Sequence, residues 1–67
     1  MKNSVKLHRH IAGGITQADL AKRVGVVRQT IISIEQGKFN PSVQLALKIA
    51  KELNVTVEKL FQLEDKD

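Results

Sequence analysis

Between Gly14 and Pro41 the chain reads GITQADLAKRVGVVRQTIISIEQGKFNP, two short helical patterns jointed at Gly25. No other feature narrows the possible folds as much. A helix of two or three turns does not hold itself in water, because its first turn orders several residues for a single hydrogen bond. Two such helices in succession therefore need each other, and further helices, to cover their apolar stripes. Thr16 is the N-cap candidate of the first, with Asp19 at the capping-box position three residues on. That helix runs from Gln17 to Val24, with Ala18, Leu20, Ala21 and Val24 on its apolar side, and Gly25 closes it. Val26 is expected as a buried turn residue bracing the pair.

The second pattern runs from Val27 or Arg28 to Gln36. At about 100° per residue, Ile31, Ile34 and Val27 fall within an arc of roughly 60° and form the inward stripe. Gln29, Ile32, Ser33 and Gln36 fall on the outward arc, with Arg28 at its edge and Thr30 flanking it. Glu35 lies close to the buried stripe, where a carboxylate needs a partner.

The flanks complete a helical domain. Residues 2–12 read as a first helix with Val5 and Ile11 toward the core and Leu7 off that stripe; Gly13 and Gly14 end it, since glycine takes the left-handed conformation at little cost. Gly37 stops the third helix, and residues 38–41 form a loop. Ser42 caps a fourth, whose stripe is Val43, Ala46, Ile49, Ala50 and Leu53, and Asn54 ends it. Thr56 caps a last short helix with Val57, Leu60 and Phe61 apolar. The acidic tail, about residues 64–67, is polar and expected to fray. No β alternation, repeat or linker is evident. The expectation is one all-α, compact five-helix domain over residues 1–67.

A chain of 67 residues buries a modest fraction of its surface and folds alone only marginally, so a dimer that adds buried area would help. It has no cysteine, which removes disulfides and thiolate metal sites. His8 and His10 have no carboxylates or thiols at ligand spacing and read as surface or structural imidazoles, so neither metal nor cofactor is expected. No apolar run approaches the ~18 residues of a membrane span. The segment MKNSVKLHRH lacks the apolar region of a secretory signal, which points to the cytoplasm. A glycine-rich phosphate loop, HExxH and a Ser–His–Asp set are all missing, which argues against an enzyme. Residues 1–40 carry seven Lys and Arg against two acids, and residues 41–67 carry four against five. That asymmetry favours a polyanion at one end of the domain, although a solvated charged surface would have the same composition.

Two helices joined as at Gly25 can present one of them to the major groove of DNA. From Gly14 onward, ITQADLAKRVGV, RQTI, SIEQGKFNPS, LALKIAKELNV and EKLF closely resemble the helix-turn-helix domains of the phage Cro and cI-like repressors, the XRE family. The resemblance covers about residues 14–63 in order and spacing, with the helix-turn-helix at about 16–36. It implies a lambda-repressor-like fold and double-stranded DNA as partner, read in the major groove. Gln17 matches a phosphate-contacting residue at a helix N-terminus, where free N–H groups and the helix dipole suit an anion. Arg28 and Gln29 match base readers: Arg grips guanine O6 and N7, Gln adenine N6 and N7. Ser33 matches a further base-reading position. Gln36 and Lys38 match phosphate holders, and Thr30 is within reach of a phosphate.

Three departures from the family pattern stand out. Val27 replaces the usual Ser or Thr, removing an N-cap worth ~1 kcal/mol. Ile32 lies on the outward arc, either against a thymine methyl group or partly covered by a flanking loop. The first helix fits in a shifted register, with one extra residue in the turn. Glu35 matches the family's internal acid, and its partner is Arg9 or His10, with Arg9 favoured. The implied function is a sequence-specific transcriptional regulator, a repressor bound as a homodimer to a near-palindromic operator. Val57, Phe61 and Leu63 are dimer candidates, with ordinary core the alternative for the first two. A second reading is an antitoxin-type regulator that also holds a protein toxin. RNA binding is weaker still, because Phe39 and Phe61 both read as structural.

Overall fold

The computed structural model describes residues 1–65, which run β1 (Lys2–Asn3), α1 (Val5–Ile11), α2 (Gln17–Val24), α3 (Arg28–Glu35), α4 (Val43–Leu53), α5 (Val57–Leu60) and β2 (Phe61–Gln62). Three of the helix starts are set by a hydroxyl. Thr16 accepts the Asp19 N–H at 3.0 Å, Ser42 the Leu45 N–H at 3.1 Å and Thr56 the Lys59 N–H at 3.3 Å. Each satisfies an amide the helix leaves unpaired, a contribution of ~1 kcal/mol. Val27 precedes α3 with no side-chain cap. Gly25 ends α2 at φ 78°, and Asn54 ends α4 at φ 57°.

The apolar stripes meet in one core. Val5, Leu20, Ile31, Ile34, Ile49 and Leu60 are fully buried there, one or more from every helix. Burying an aliphatic side chain contributes ~1.5–3 kcal/mol, so helices this short persist by packing rather than by propensity. α3 lies across α2, and α2 also packs on α4. Between α1 and α2, Gly13 and Gly14 adopt φ 104° and 79° in succession. That reversal turns the chain back so that Ile15 enters the core and its N–H reaches the Arg9 carbonyl at 3.1 Å.

Several expectations from the sequence need correction, among them the apolar stripes of α2 and α4 at their first turns, where Ala18 and Val43 are exposed. The first helix is shorter than residues 2–12, because Lys2 and Asn3 pair antiparallel with Gln62 and Phe61 in a two-stranded sheet. The domain is therefore mostly helical, with a small sheet that the missing alternation hid. Ile11 is 69% exposed rather than core-facing; α1 ends there, and the next residues bend away. Val27 is 68% exposed. It is the cap of α3 and not part of the helix, so a helical projection misplaces it. Phe61 is buried, but in β2 beyond the single turn of α5. Of the acidic tail, Glu64 pairs with the N-terminal amine at 3.5 Å; Lys66 and Asp67 lie outside the described residues.

The sheet draws both flanks of the chain onto the helical core. The Ser4 N–H donates to the Leu60 carbonyl and the Ser4 hydroxyl to the Lys59 carbonyl, each at 2.8 Å. Beside them the Asn3 amide donates to the Ile34 carbonyl at 2.8 Å. The last turn of α3 is thus tied to the sheet.

Candidate nucleic-acid interface

The outer side of α3 follows from the burial of its inner side. With Ile31 and Ile34 in the core, a rotation of about 100° per residue carries Gln29, Ile32, Ser33 and Gln36 around the other side of the helix. Arg28 and Gln29 are exposed at its first turn, and Ser33 is half-buried one turn on. Gln29 Nε2 donates to Ser33 Oγ over a long 3.4 Å. Ile32 and Thr30 are half-buried, part of their surface covered by the protein itself. Gln36 is the exposed C-cap residue, and Lys38 is exposed in the loop, its N–H on the Ser33 carbonyl at 2.9 Å.

Behind this surface lies a charged pair. Arg9, 6% exposed on α1, donates from Nε to Glu35 Oε2 at 2.7 Å and from Nη2 to Oε1 at 3.1 Å. Its Nη1 donates to the Ile15 carbonyl at 2.8 Å. The Glu35 side chain is 7% exposed. Two charges this deep are tolerated because the fork geometry is bidentate and the remaining donor is satisfied. His10 is exposed instead. The pair reaches outward through Gln17, whose Nε2 donates to Glu35 Oε1 at 3.0 Å. Gln17 Oε1 in turn accepts from Arg28 Nη2 at 3.2 Å. The carboxamide of Gln17 is thus engaged at both atoms, and its second amide hydrogen and backbone N–H remain for other acceptors.

The start of α2 lines an open depression together with Lys6 and His10 of α1 and Arg28 of α3. Lys6 and Asn3 were not singled out in the sequence. The spacing of four between Lys6 and His10 puts them on one helix face, a signal usable only once the register of α1 is known. Asn3 carried no such signal.

The proposed dimer residues separate. Val57 and Phe61 line an apolar depression with Pro41, Val43 and Leu47. Leu63, 81% exposed, lines a different hollow with Lys2 and Gln62. Among the described residues no group of three His, Asp or Glu side chains is placed to hold a metal ion, and no helix is long and apolar enough to cross a membrane.

The chain is similar in sequence to known helix-turn-helix proteins. A family model described as helix-turn-helix matches residues 9–60. The chain is 54% identical over 65 residues, 97% of either chain, to an HTH-type transcriptional regulator of Methanocaldococcus jannaschii. It is 52% identical over 54 residues, 81% of this chain and 77% of the other, to one from Archaeoglobus fulgidus. It is 45% identical over the full length of both chains to the regulator YgzD of Bacillus subtilis.

Proposed function

We propose, because this chain belongs to the XRE-type helix-turn-helix family of DNA-binding transcriptional regulators, that it is a sequence-specific repressor that binds a near-palindromic operator as a homodimer. The observation that supports this most is the outer side of α3, where Arg28 and Gln29 stand exposed in front of Ser33. Arg28 takes guanine O6 and N7, and Gln29 takes adenine N6 and N7. Ser33 accepts from or donates to a base one turn along, and the uncovered part of Ile32 meets a thymine methyl group. The Gln17 backbone N–H, Thr30, Gln36 and Lys38 hold the phosphates on either side, which sets register without reading sequence. The reading requires no cofactor and places the protein with DNA in the cytoplasm.

A second copy of the chain covers the apolar depression on α4 and α5. Val43 and Leu47 are exposed there beside Val57 and Phe61, and a chain this small gains from added buried area. Leu63 stands apart from this depression and extends the contact only if the partner reaches the sheet.

Selection of bound duplexes from random DNA tests the whole reading at once. The expected product is two inverted half-sites with centres about one helical turn, ~34 Å, apart. A single half-site without its inverted copy refutes the dimer, and no enrichment refutes sequence readout. On the selected site, Arg28→Ala should cost ~1–3 kcal/mol and relax preference at one base pair, while Lys38→Ala should weaken all DNA alike.

A further inference from the structure

We infer that Glu35 is a positioning residue for base readout, acting through Gln17 on Arg28, in addition to anchoring Arg9. The inference rests on the reading of Arg28 as a base-contacting side chain. Its basis is the polarity of the hydrogen bonds that run outward from the core. A carboxylate only accepts and a guanidinium only donates, whereas a carboxamide does both, one at each end. Gln17 stands between the two: its Nε2 faces Glu35 Oε1 at 3.0 Å and its Oε1 faces Arg28 Nη2 at 3.2 Å.

The two ends of a carboxamide have almost the same shape, so its neighbours decide which way it points. Here both neighbours demand the same orientation. Rotating the amide by half a turn would set oxygen against the Glu35 carboxylate and amide hydrogens against the Arg28 guanidinium. Glu35 cannot adapt, because Arg9 holds both of its oxygens, at 2.7 and 3.1 Å, and its side chain is 7% exposed. The buried pair therefore fixes the amide, and the amide presents an acceptor to one terminal nitrogen of an otherwise exposed arginine. The other terminal nitrogen of Arg28 makes no hydrogen bond within the described residues, and Gln17 leaves the second Nη2 hydrogen unused. Arginine carries high rotamer entropy, and a side chain held before DNA arrives loses less on binding.

Binding of wild type, Arg28→Ala, Gln17→Met, the double variant and Glu35→Met is measured on duplexes carrying each base pair in turn at every position of the selected site. Thermal melts accompany each variant. Arg28→Ala locates the base pair that Arg28 reads. Gln17→Met keeps the length of the side chain and removes both hydrogen bonds. It is expected to lose roughly fivefold or more of the preference at that same base pair, to keep the preferences elsewhere, and to add no further loss there in the Arg28→Ala background. Glu35→Met melts at a lower temperature and, assayed below its melt, loses the same preference. A Gln17→Met protein weakened equally on all duplexes makes Gln17 a phosphate clamp alone and overturns the proposal. A folded Glu35→Met protein, which offers Gln17 no such acceptor, with full preference removes Glu35 from the chain of contacts and also overturns it. If Arg28→Ala changes no preference, base reading by Arg28 fails and the proposal fails with it; loss at Arg28 without loss at Gln17 sinks the proposal alone.

Discussion

The starts of α2 and α3 differ in what holds them. α2 begins behind Thr16, whose hydroxyl caps the Asp19 N–H within the same stretch of chain. α3 begins behind Val27, exposed and without a cap; the nearby contacts are the Thr30 N–H on the Val27 carbonyl at 3.0 Å and the bond from Arg28 to Gln17. One start is settled by local sequence, the other leans on a side chain brought from α2. α3 thus depends on the rest of the fold more than α2 does. Its inner side is seated by Ile31 and Ile34, and its charged residue Glu35 by Arg9.

Removing the tertiary support tests this contrast hardest. Arg9→Ala leaves the Glu35 carboxylate buried without its partner and should lower stability by ~3–5 kcal/mol. That is close to the whole stability of a domain of this size. His10→Ala, at an exposed position, should stay within about 0.5 kcal/mol. Chemical denaturation of the two variants measures both, and the reverse order would move the anchor of α3 to His10. Removing the local support should matter less: Thr16→Ala should cost ~1 kcal/mol, a fall of about 4–8 °C in Tm for a small domain. If Thr16→Ala costs as much as Arg9→Ala, the contrast between local and tertiary support disappears. The smallest effect is a gain. Val27→Thr restores a capping hydroxyl at a residue already in the extended conformation that a cap requires, with φ −80° and ψ 155°. It should raise stability by ~0.5–1 kcal/mol, and an unchanged Tm would mean that the first turn of α3 is already satisfied.

The same contrast separates what could be read in the sequence from what could not. α2 and α4 were legible to the residue because their signals are local: Thr16 and Ser42 at the starts, Gly25 and Asn54 in the left-handed conformation at the ends. β1 and β2 were not, because two residues make no alternation and their pairing joins positions almost a full chain apart. Ile11 misled because α1 is only seven residues long, and a stripe drawn through so few positions is set by the assumed ends. The polar side of α3 could be drawn from periodicity. The links among its residues could not, since the bonds of Gln17 to Glu35 and Arg28 span eighteen and eleven positions, and nothing in residue spacing reports an amide's orientation. Separation of Leu63 from Val57 and Phe61 has the same origin: β2 carries the chain away from the turn of α5.

The short sheet has a consequence for how the domain opens. Pairing Asn3 with Phe61 closes a loop of almost the whole chain, and the entropy lost in closing a loop rises with its length. Four residues of ladder return few contacts for that loss. This clasp is therefore expected to release before the helical core does, as a local opening with a free energy well below that of global unfolding. Because the Asn3 amide holds the Ile34 carbonyl, each release also removes one tie from the last turn of α3, which Ile34 and the Arg9–Glu35 pair keep seated. The amide hydrogen of Ser4, bonded to the Leu60 carbonyl, should then exchange ahead of those in α2 and α4, so that the two flanks of the chain part while the helices behind them stay packed.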